Sequence, residues 1–388
     1  MRGSVVKKGT RWYVVVEDRD AETGRRKRRW HSGYRTKRDA QAACSELLAS
    51  LHRGDYVAPN RQTVEEFALE WLDAVRATVR PSTMDKYRRD VRAHVLPYIG
   101  HLLLARLDAT TLNRLWATLA ETGRKPRSVD GAPSGLSSKS IENVAMTVHR
   151  MLKDAVRWGR LARNPADAAD PPRRSVQARQ VQAWDAETLR RFLSECRAAN
   201  DPLYSLWVFL ATTGLRRGEA LGLHWADVDL TAARVRITHT LGSIKWNLVA
   251  GQPKTSAGRR PIALDPLTVS VVRDHRRRML EQRLLVGAGF VDQDYVFCEP
   301  DGSPLHPERV YQAFKRRVRK YQMPYLSPHG LRHTWATIAL ANGVHPRVVQ
   351  EHLGHAHISI TLQTYSHVQP TMHDDAAVLV ANLVLPEG

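Results

Sequence analysis

Two stretches without hydrophobic periodicity divide this chain into three segments, and this division limits the folds that it can adopt. Residues 52–62 contain Gly54 and Pro59, and residues 164–178 contain three prolines, a composition typical of linkers. The chain has 388 residues, of which 43% are hydrophobic, so each segment can bury a core. We therefore expect three domains, which cover residues 1–57, 62–166 and 179–388.

The first segment has the pattern of a small basic sheet followed by one helix. Residues 12–16 and 25–31 are β-like and flank a turn at 20–24, and Thr36 begins a capping-box-like helix start. The first 60 residues carry 14 Lys or Arg against 7 Asp or Glu. A basic ribbon with aromatic residues can enter a DNA groove, whereas a solvated charged hairpin is the alternative interpretation. The candidate DNA-binding residues are Arg25, Arg26, Lys27, Arg28, Arg29 and Trp30.

The second segment is predicted to be a small all-helical domain. Thr63 and Glu66 can form a capping box for a helix whose apolar residues share one face, and Ser82 opens a second helix. Further helical patterns cover residues 110–121 and 140–158. Four helices of this length can bury a common core.

The third segment mixes helices with short strands. Helical patterns at 185–198 and 201–213 come first, β-like stretches at 234–240 and 259–264 follow, and helices return after them. The fold class predicted for the whole chain is therefore mainly α with small β-sheets (α+β). It comprises an N-terminal three-stranded sheet plus helix, a helical domain and a mixed α/β domain.

The charge balance of the chain points to a polyanionic partner. The formal net charge is +20 at pH 7, and most of the 59 basic residues are arginines, whose planar fork matches phosphate oxygens. Genome-composition bias is the alternative explanation. The three cysteines lie far apart without a CxxC pair, which indicates neither a disulfide framework nor a thiolate zinc site. Because we find neither a signal-peptide pattern nor a run of about 18 apolar residues, we expect a cytoplasmic protein with no membrane partner.

Two stretches of the third segment present candidate cationic side chains. In residues 213–219, a glycine turn opens a helix and presents Arg216 and Arg217, although an arginine beside a glutamate often makes only a surface ion pair. In residues 253–262, a turn that leads into a strand carries Lys254, which could swing over a bound ligand. Lys245 is the competing candidate for that role.

Residues 326–335 are the most informative stretch. Ser327 fits a helix N-cap with Pro328 at the first helical position, so that His329 falls in the first turn, where the helix dipole favours an anion. Arg332 lies three residues later on the same face. A histidine and a forked cation would thus face one site suited to phosphate, while His333 is interpreted as a packing residue.

The last candidate stretch contains His355 and Tyr365. A tyrosine hydroxyl, with a pKa of about 10, is a poor nucleophile unless a cationic site stabilises its phenolate. Taken alone, Tyr365 would be interpreted as a partly buried structural tyrosine. Although His329 and His333 have the i, i+4 spacing of metal ligands, the HExxH glutamate and cysteine ligands are absent, so we expect no metal.

Together, these stretches resemble the tyrosine recombinase (phage integrase) family, and the matching positions are, in order, Arg216, Lys254, His329, Arg332, His355 and Tyr365. The joint match is far more specific than any one motif. The resemblance is close over residues 179–370 and looser over 63–166, which resemble the helical core-binding domain of the family. Residues 1–57 resemble the arm-type DNA-binding domain of phage and mobile-element integrases.

The resemblance implies a site-specific DNA recombinase that integrates or excises a phage or mobile element by two transesterifications. Tyr365 would attack a scissile phosphodiester, form a 3′-phosphotyrosyl link and free a 5′-hydroxyl. Because one phosphoester replaces another, neither ATP nor any cofactor would be needed.

The same resemblance assigns a task to each of the other matching residues. Arg216, Arg332 and His355 would stabilise the negative charge of the transition state. Lys254 would protonate the leaving 5′-oxygen, and His329 would accept or relay the proton of the tyrosine.

The expected partners follow from the resemblance. They are double-stranded DNA at core and arm-type attachment sites, three further copies of the chain in a homotetramer on DNA, and accessory DNA-bending or directionality proteins. The apolar stretch 376–385 is expected to dock on a neighbouring protomer. The protein would act in the cytoplasm of a bacterial host, associated with the nucleoid when bound to DNA.

Two other functions remain open at this point. A type IB topoisomerase-like enzyme would share the tyrosine chemistry without joining two sites, but the basic N-terminal segment favours an integrase. A catalytically silent DNA-binding regulator is the second, and the intact set of six matching residues argues against it.

Overall fold

The structure is a computed structural model that describes residues 2–19, 26–53, 61–123, 134–172, 182–253, 258–355 and 357–359. Helices dominate these ranges, and three small antiparallel sheets accompany them, so the predicted α+β class is confirmed. The chain divides into two units, Met1–Gln177 and Ala178–Gly388. The boundaries of the three domains expected from the sequence stay a prediction.

The N-terminal sheet is backed by a helix, as its sequence pattern predicts. Its elements are β1 (Arg2–Lys8), β2 (Arg11–Arg19), β3 (Arg26–Tyr34) and α1 (Lys37–Arg53). The sheet order is β1-β2-β3, with both pairs antiparallel. Val14 and Val16 alternate toward α1 and pack against Ala40 and Cys44. The predicted turn at 20–24 lies outside the described residues.

The following helices enclose a second hydrophobic cluster. They are α2 (Val64–Ala74), α3 (Pro81–His94), α4 (Leu96–Ile99), α5 (Ala109–Thr122) and α6 (Ser138–Arg157). The predicted capping box is present, because the Thr63 hydroxyl accepts the Glu66 N–H while the Glu66 carboxylate accepts the Thr63 N–H. Helix α3 begins at Pro81, one residue before the predicted Ser82, since proline fits the first helical position.

The second unit alternates helices with short strands. Its elements are α7 (Ala186–Ala198), α8 (Tyr204–Thr213), α9 (Arg217–Leu221), β4 (Val228–Asp229), β5 (Arg234–Arg236), β6 (Thr240–Ile244), β7 (Asn247–Gly251), β8 (Pro261–Ala263), α10 (Pro266–Val286), α11 (Pro307–Lys320), α12 (Pro328–Ala341) and α13 (Pro346–Leu353). One sheet has the order β4-β5-β8, and β6 pairs with β7 in a separate hairpin.

Helix α8 is the central helix of the second unit. It is apolar on all sides, and Trp207, Phe209 and Leu210 are fully buried within the largest hydrophobic cluster. The C-terminus of α8 is thereby fixed in the protein interior, and this positions the turn that follows it. No described helix has both the length and the apolar character needed to cross a lipid bilayer.

Candidate active site

The turn after α8 presents the first candidate arginine. Gly214 ends the helix in the left-handed region (φ 59°), where a side chain would be strained and would also meet Trp335 and Leu353 at 3.1 Å. Two residues later, Arg216 precedes α9 with 40% of its side chain exposed. Its Nη2 donates to the Gly354 carbonyl at 3.3 Å, which links this turn to the end of α13.

The start of α12 has the predicted cap and carries the second arginine. The Ser327 hydroxyl accepts the Gly330 N–H at 3.3 Å, and proline occupies the first helical turn. Arg332 is only 2% exposed, and it donates to the carbonyl oxygens of Gly214 at 3.1 Å and Leu353 at 2.7 Å. Arg332 thus contacts the turn after α8, which carries Arg216, and the end of α13, which Arg216 also contacts.

Glu219 lies behind Arg216 and is not the surface partner that the local sequence suggested. It is 2% exposed, and its carboxylate accepts from Arg216 Nη1 at 2.6 Å and from the Arg216 N–H at 3.0 Å. Burial opposes the ionisation of Glu219, but the charges of Arg260 and Arg216 outweigh this effect and lower its pKa. A buried, ionised carboxylate thus orients the exposed arginine.

The two candidate histidines lie in the electric field of these arginines. Burial against the surrounding protein, reinforced by the charges of His333, Arg332 and Arg216, lowers the pKa of His329 to about 4. Burial, Arg332 and Arg216 likewise lower the pKa of His355 to about 4. Both imidazoles are therefore neutral near pH 7 in the free protein, and each can accept as well as donate a proton.

Two further histidines, His333 and His352, contact residues of the site. His333 is half-buried and meets the ring of His329 edge-on, with centroids 4.8 Å apart. The ring of His352 stacks on Trp335 at 4.1 Å and hydrogen-bonds the Thr213 carbonyl at 2.9 Å. His333 thus contacts His329 and contributes to lowering its pKa.

The structure brings together four of the six candidates, Arg216, His329, Arg332 and His355. Lys254 and Tyr365 lie outside the described residues. The competing Lys245 lies at the tip of the β6–β7 hairpin, where it adopts a positive φ of 49°. Glu219 is a further residue of this site, and its only local signal in the sequence is its position three residues after Arg216.

The basic N-terminal ribbon is described only in part. Arg25 lies outside the described residues, and Arg26, Lys27 and Arg29 are described as backbone of β3 only. Arg28 and Trp30 lie on the face of the sheet opposite α1. There the Arg28 guanidinium pairs with Glu17 at 2.6 Å, and Trp30 is 53% exposed beside Tyr13. An exposed arginine and tryptophan thus share the free face of the sheet.

Among the described residues, one group has the side chains of a metal site. His224, Asp227 and His239 offer ligand atoms within 4.8 Å of one another. The Thr238 hydroxyl hydrogen-bonds the carboxylate of Asp227 and also contacts Nδ1 of His239 at 2.7 Å. The ring of His224 stacks on Tyr295 with centroids 4.7 Å apart, and none of the three residues belongs to the candidate catalytic set.

Comparison with known sequences finds three family matches along the chain. Residues 182–372 match the Phage integrase family, residues 63–117 match the Phage integrase N-terminal SAM-like domain, and residues 4–51 match the Arm DNA-binding domain. A tyrosine recombinase XerC-like protein of Caldanaerobacter subterraneus is 26% identical over 98% of both chains. An integrase of Saccharopolyspora erythraea is 23% identical over 81% of each.

Solved structures share the fold. The Tn1549 transposon integrase in complex with a circular intermediate DNA has a TM-score of 0.68 at 21% identity, over 83% of this chain and all of that one. The lambda integrase tetramer bound to a Holliday junction has a TM-score of 0.56 at 14% identity, over 91% and 92% of the two chains. The fold and the matching domains together define a DNA strand-transfer enzyme. The chain belongs to the phage integrase family of tyrosine recombinases.

Proposed function

We propose that this protein is an integrase that cuts and rejoins DNA at attachment sites of a phage or mobile element through a 3′-phosphotyrosyl intermediate. The observation that carries the proposal is the convergence of Arg216, Arg332, His329 and His355 at the turn after α8, the start of α12 and the end of α13. The protein would act on chromosomal and element DNA in the cytoplasm of a bacterial host.

The two arginines suit the charge of a phosphoryl-transfer transition state. In the pentacoordinate state, negative charge develops on the non-bridging oxygens of the phosphate. Arg332 is fixed by two backbone carbonyls and Arg216 by Glu219, so neither guanidinium has to reorganise when that charge appears. The arginines supply the charge stabilisation for which other phosphoryl transferases use metal ions.

The remaining roles complete a balanced reaction. The hydroxyl of Tyr365 attacks phosphorus, its proton passes to His329, and the bond from phosphorus to the 5′-oxygen breaks as Lys254 donates a proton to that oxygen. His355 donates a hydrogen bond to a non-bridging oxygen. Attack by a 5′-hydroxyl of the partner strand then reverses these steps and releases the tyrosine.

The partners proposed for this chain extend beyond one DNA duplex. Lambda integrase forms a tetramer on a Holliday junction, and exchange of two duplexes needs four nucleophiles, one for each strand cut. We therefore propose a homotetramer on core attachment sites, with accessory DNA-bending or directionality proteins as further partners. The sheet face that carries Arg28 and Trp30 would bind the separate arm-type sites.

Covalent trapping on attachment-site DNA tests the proposed activity. The substrate is a duplex that spans the junction of the circularised element, which encodes the chain. The duplex carries a nick, so that the short fragment with the freed 5′-hydroxyl diffuses away after cleavage. We expect a protein–DNA adduct whose yield is the same in EDTA and in magnesium, because the charge stabilisation comes from arginine. Absence of an adduct would favour the silent regulator, and an adduct that requires magnesium would require a metal in the mechanism.

A fragment of residues 1–57 is expected to protect arm-type DNA outside the strand-exchange core. Phosphate contacts give salt-sensitive binding without sequence preference, whereas each good bidentate base contact adds roughly 1–3 kcal/mol of discrimination. Footprinting across an attachment site at moderate salt measures this protection. The full chain without residues 1–57 should still form the adduct but fail to integrate. Protection confined to the core would contradict separate arm binding.

The rate of cleavage is expected to fall in acid because of His329. The pKa of His329 is about 4 in the free protein, and a bound phosphate anion raises that pKa. His329 is therefore neutral at pH values above the raised pKa and protonated at pH values below it. A protonated His329 cannot accept the proton of the tyrosine. Single-turnover cleavage at saturating DNA should therefore show an acidic limb that His329→Gln removes.

His333→Gln is the matched control for this pH profile. It should keep the acidic limb, moved slightly to higher pH, because the charge of His333 contributes to lowering the pKa of His329. If wild-type protein and both variants share one limb at one pH, another group accepts the proton.

A further inference from the structure

Three side chains that can bind a metal come together in the second unit, outside the candidate active site. His224 directly precedes the 3₁₀ turn Trp225–Asp227, Asp227 ends this turn, and His239 lies between β5 and β6. Each side chain offers one ring nitrogen or carboxylate oxygen, and these three atoms lie within 4.8 Å of one another. Two separate segments of the chain thus build the cluster.

The separations in the cluster are close to those around a bound transition metal. Zinc binds histidine nitrogen and carboxylate oxygen at about 2.0–2.2 Å, so tetrahedral ligand atoms lie roughly 3.3–3.6 Å apart. Nδ1 of His239 and Oδ2 of Asp227 are 3.6 Å apart, which already fits this geometry. A small rotation of the His224 side chain would bring the third ligand to the same separation, because no pair exceeds 4.8 Å.

The ring of His224 is held in place and has a nitrogen available for coordination. The ring stacks on Tyr295, and the backbones of the two residues form an isolated β-bridge. Nδ1 of His224 is buried and has no hydrogen-bond partner among the residues that the structure describes. Buried polar atoms in folded proteins nearly always have a partner, which can be a bound ion or an ordered water.

Thr238 is an outer partner for two of the three ligands. Its hydroxyl hydrogen-bonds the Asp227 carboxylate and contacts Nδ1 of His239 at 2.7 Å. Ligating side chains in proteins usually have such partners, which fix their orientation toward the metal. Because a carboxylate oxygen has more than one lone pair, Thr238 can keep its bond to Asp227 while that oxygen binds a metal.

The ligand types select a transition metal rather than magnesium or calcium. Imidazole suits Zn²⁺, Cu²⁺ and Ni²⁺, whereas Mg²⁺ and Ca²⁺ take oxygen ligands. Two histidines and one carboxylate, with a water in the fourth position, are the ligand types of an established class of zinc sites.

We propose that His224, Asp227 and His239 bind one divalent transition-metal ion, with Zn²⁺ as the expected ion. His239 directly precedes β6, and the hairpin of β6 and β7 forms a separate two-stranded sheet. A metal at this site would join the base of the hairpin to the 3₁₀ turn and restrict its motion. Because the site lies outside the proposed catalytic set, the ion takes no part in strand cleavage.

The test uses Co²⁺ as a spectroscopic probe and Zn²⁺ as its competitor on the full chain, after chelation and dialysis. Wild-type protein is compared with His239→Gln and Asp227→Asn, which remove a ligand with little change of shape. His149→Gln is the matched control. His149 lies 2.8 Å from the Asp167 carboxylate, but in the described part of the chain no third ligand joins this pair.

We expect wild-type protein and His149→Gln to bind one equivalent of Co²⁺ with the intense visible absorption of a low coordination number, and Zn²⁺ to displace it. His239→Gln and Asp227→Asn should weaken this binding at least about 10-fold, the lower end of the cost of losing even an outer partner. Zn²⁺ should also slow hydrogen exchange of residues 237–244 in wild-type protein but not in these two variants.

Two outcomes would overturn the proposed site. Equal Co²⁺ absorption in all four proteins would assign the metal to other histidines. Wild-type protein without this absorption, or with unchanged exchange of residues 237–244 in Zn²⁺, would mean that the cluster does not bind the ion or that the ion does not restrain the hairpin.

Discussion

Tyr365→Phe is expected to abolish the covalent adduct with attachment-site DNA while leaving DNA affinity nearly unchanged. The substitution removes one hydroxyl oxygen, the proposed nucleophile, and keeps the aromatic ring. Because no adduct can form without that oxygen, we expect a loss of cleavage on the order of 10⁴-fold or more. Denaturing electrophoresis of the trapped complex measures the adduct, and a binding titration on the same DNA measures the affinity.

Tyr325→Phe is the matched control for this experiment. Tyr325 is 58% exposed and lies two residues before the N-cap of α12, so it is a described tyrosine near the candidate histidines. Its variant should form the adduct at the wild-type rate. Adduct formation by Tyr365→Phe together with its loss in Tyr325→Phe would show that Tyr365 is not the nucleophile. Proteolytic mapping of the DNA-linked peptide identifies the residue directly.

The start of α12 could be predicted because its signals are local. Ser327 and the following proline are a cap and a first-turn residue within one turn of chain, and the structure has them in those roles. The partners of Arg332 could not be predicted in the same way. The carbonyl oxygens of Gly214 and Leu353 come from helix ends far away in sequence, and only tertiary packing of α8, α12 and α13 brings them to one guanidinium.

The role of Glu219 could not be predicted for a related reason. An arginine and a glutamate three residues apart form the same local pattern on an exposed helix and beside a buried site. What distinguishes Glu219 is its 2% exposure, and this results from packing of α9 against α8 and the β6–β7 hairpin. Because burial is not encoded in a short motif, the sequence indicated the exposed cation but not the buried residues that hold it.

The β-rich part of the second unit shows a similar limit. The continuous β-like stretch 234–240 is divided between β5 and β6, which belong to different sheets. Its composition favours extended backbone throughout, but β5 pairs with β4 and β8 whereas β6 pairs with β7. Strand propensity depends on the neighbours that a strand acquires, so the partition follows from tertiary context. This partition also places Lys245 in the tip of a hairpin.

Lys254→Ala is expected to slow cleavage of ordinary DNA by about 10²–10⁴-fold, the range of a positioned general acid. The leaving 5′-oxygen is strongly basic and departs slowly as an alkoxide, whereas sulfur at the same position leaves as a thiolate without a proton. The sulfur-containing substrate should therefore restore most of the rate to Lys254→Ala. It should not restore Arg332→Ala, because Arg332 would stabilise the non-bridging oxygens that both substrates retain.

Lys245→Ala separates this assignment from its competitor. Lys245 belongs to the hairpin of β6 and β7, and we expect its loss to weaken DNA binding at most, with equal effects on the oxygen and sulfur substrates. Single-turnover rates for both variants on both substrates, at DNA concentrations that saturate each protein, provide the measurement. Sulfur rescue of Lys245→Ala with none for Lys254→Ala would make the hairpin lysine the acid. Equal rescue of Lys254→Ala and Arg332→Ala would mean that sulfur accelerates cleavage without reporting on proton transfer, and Lys254 would lose its proposed role.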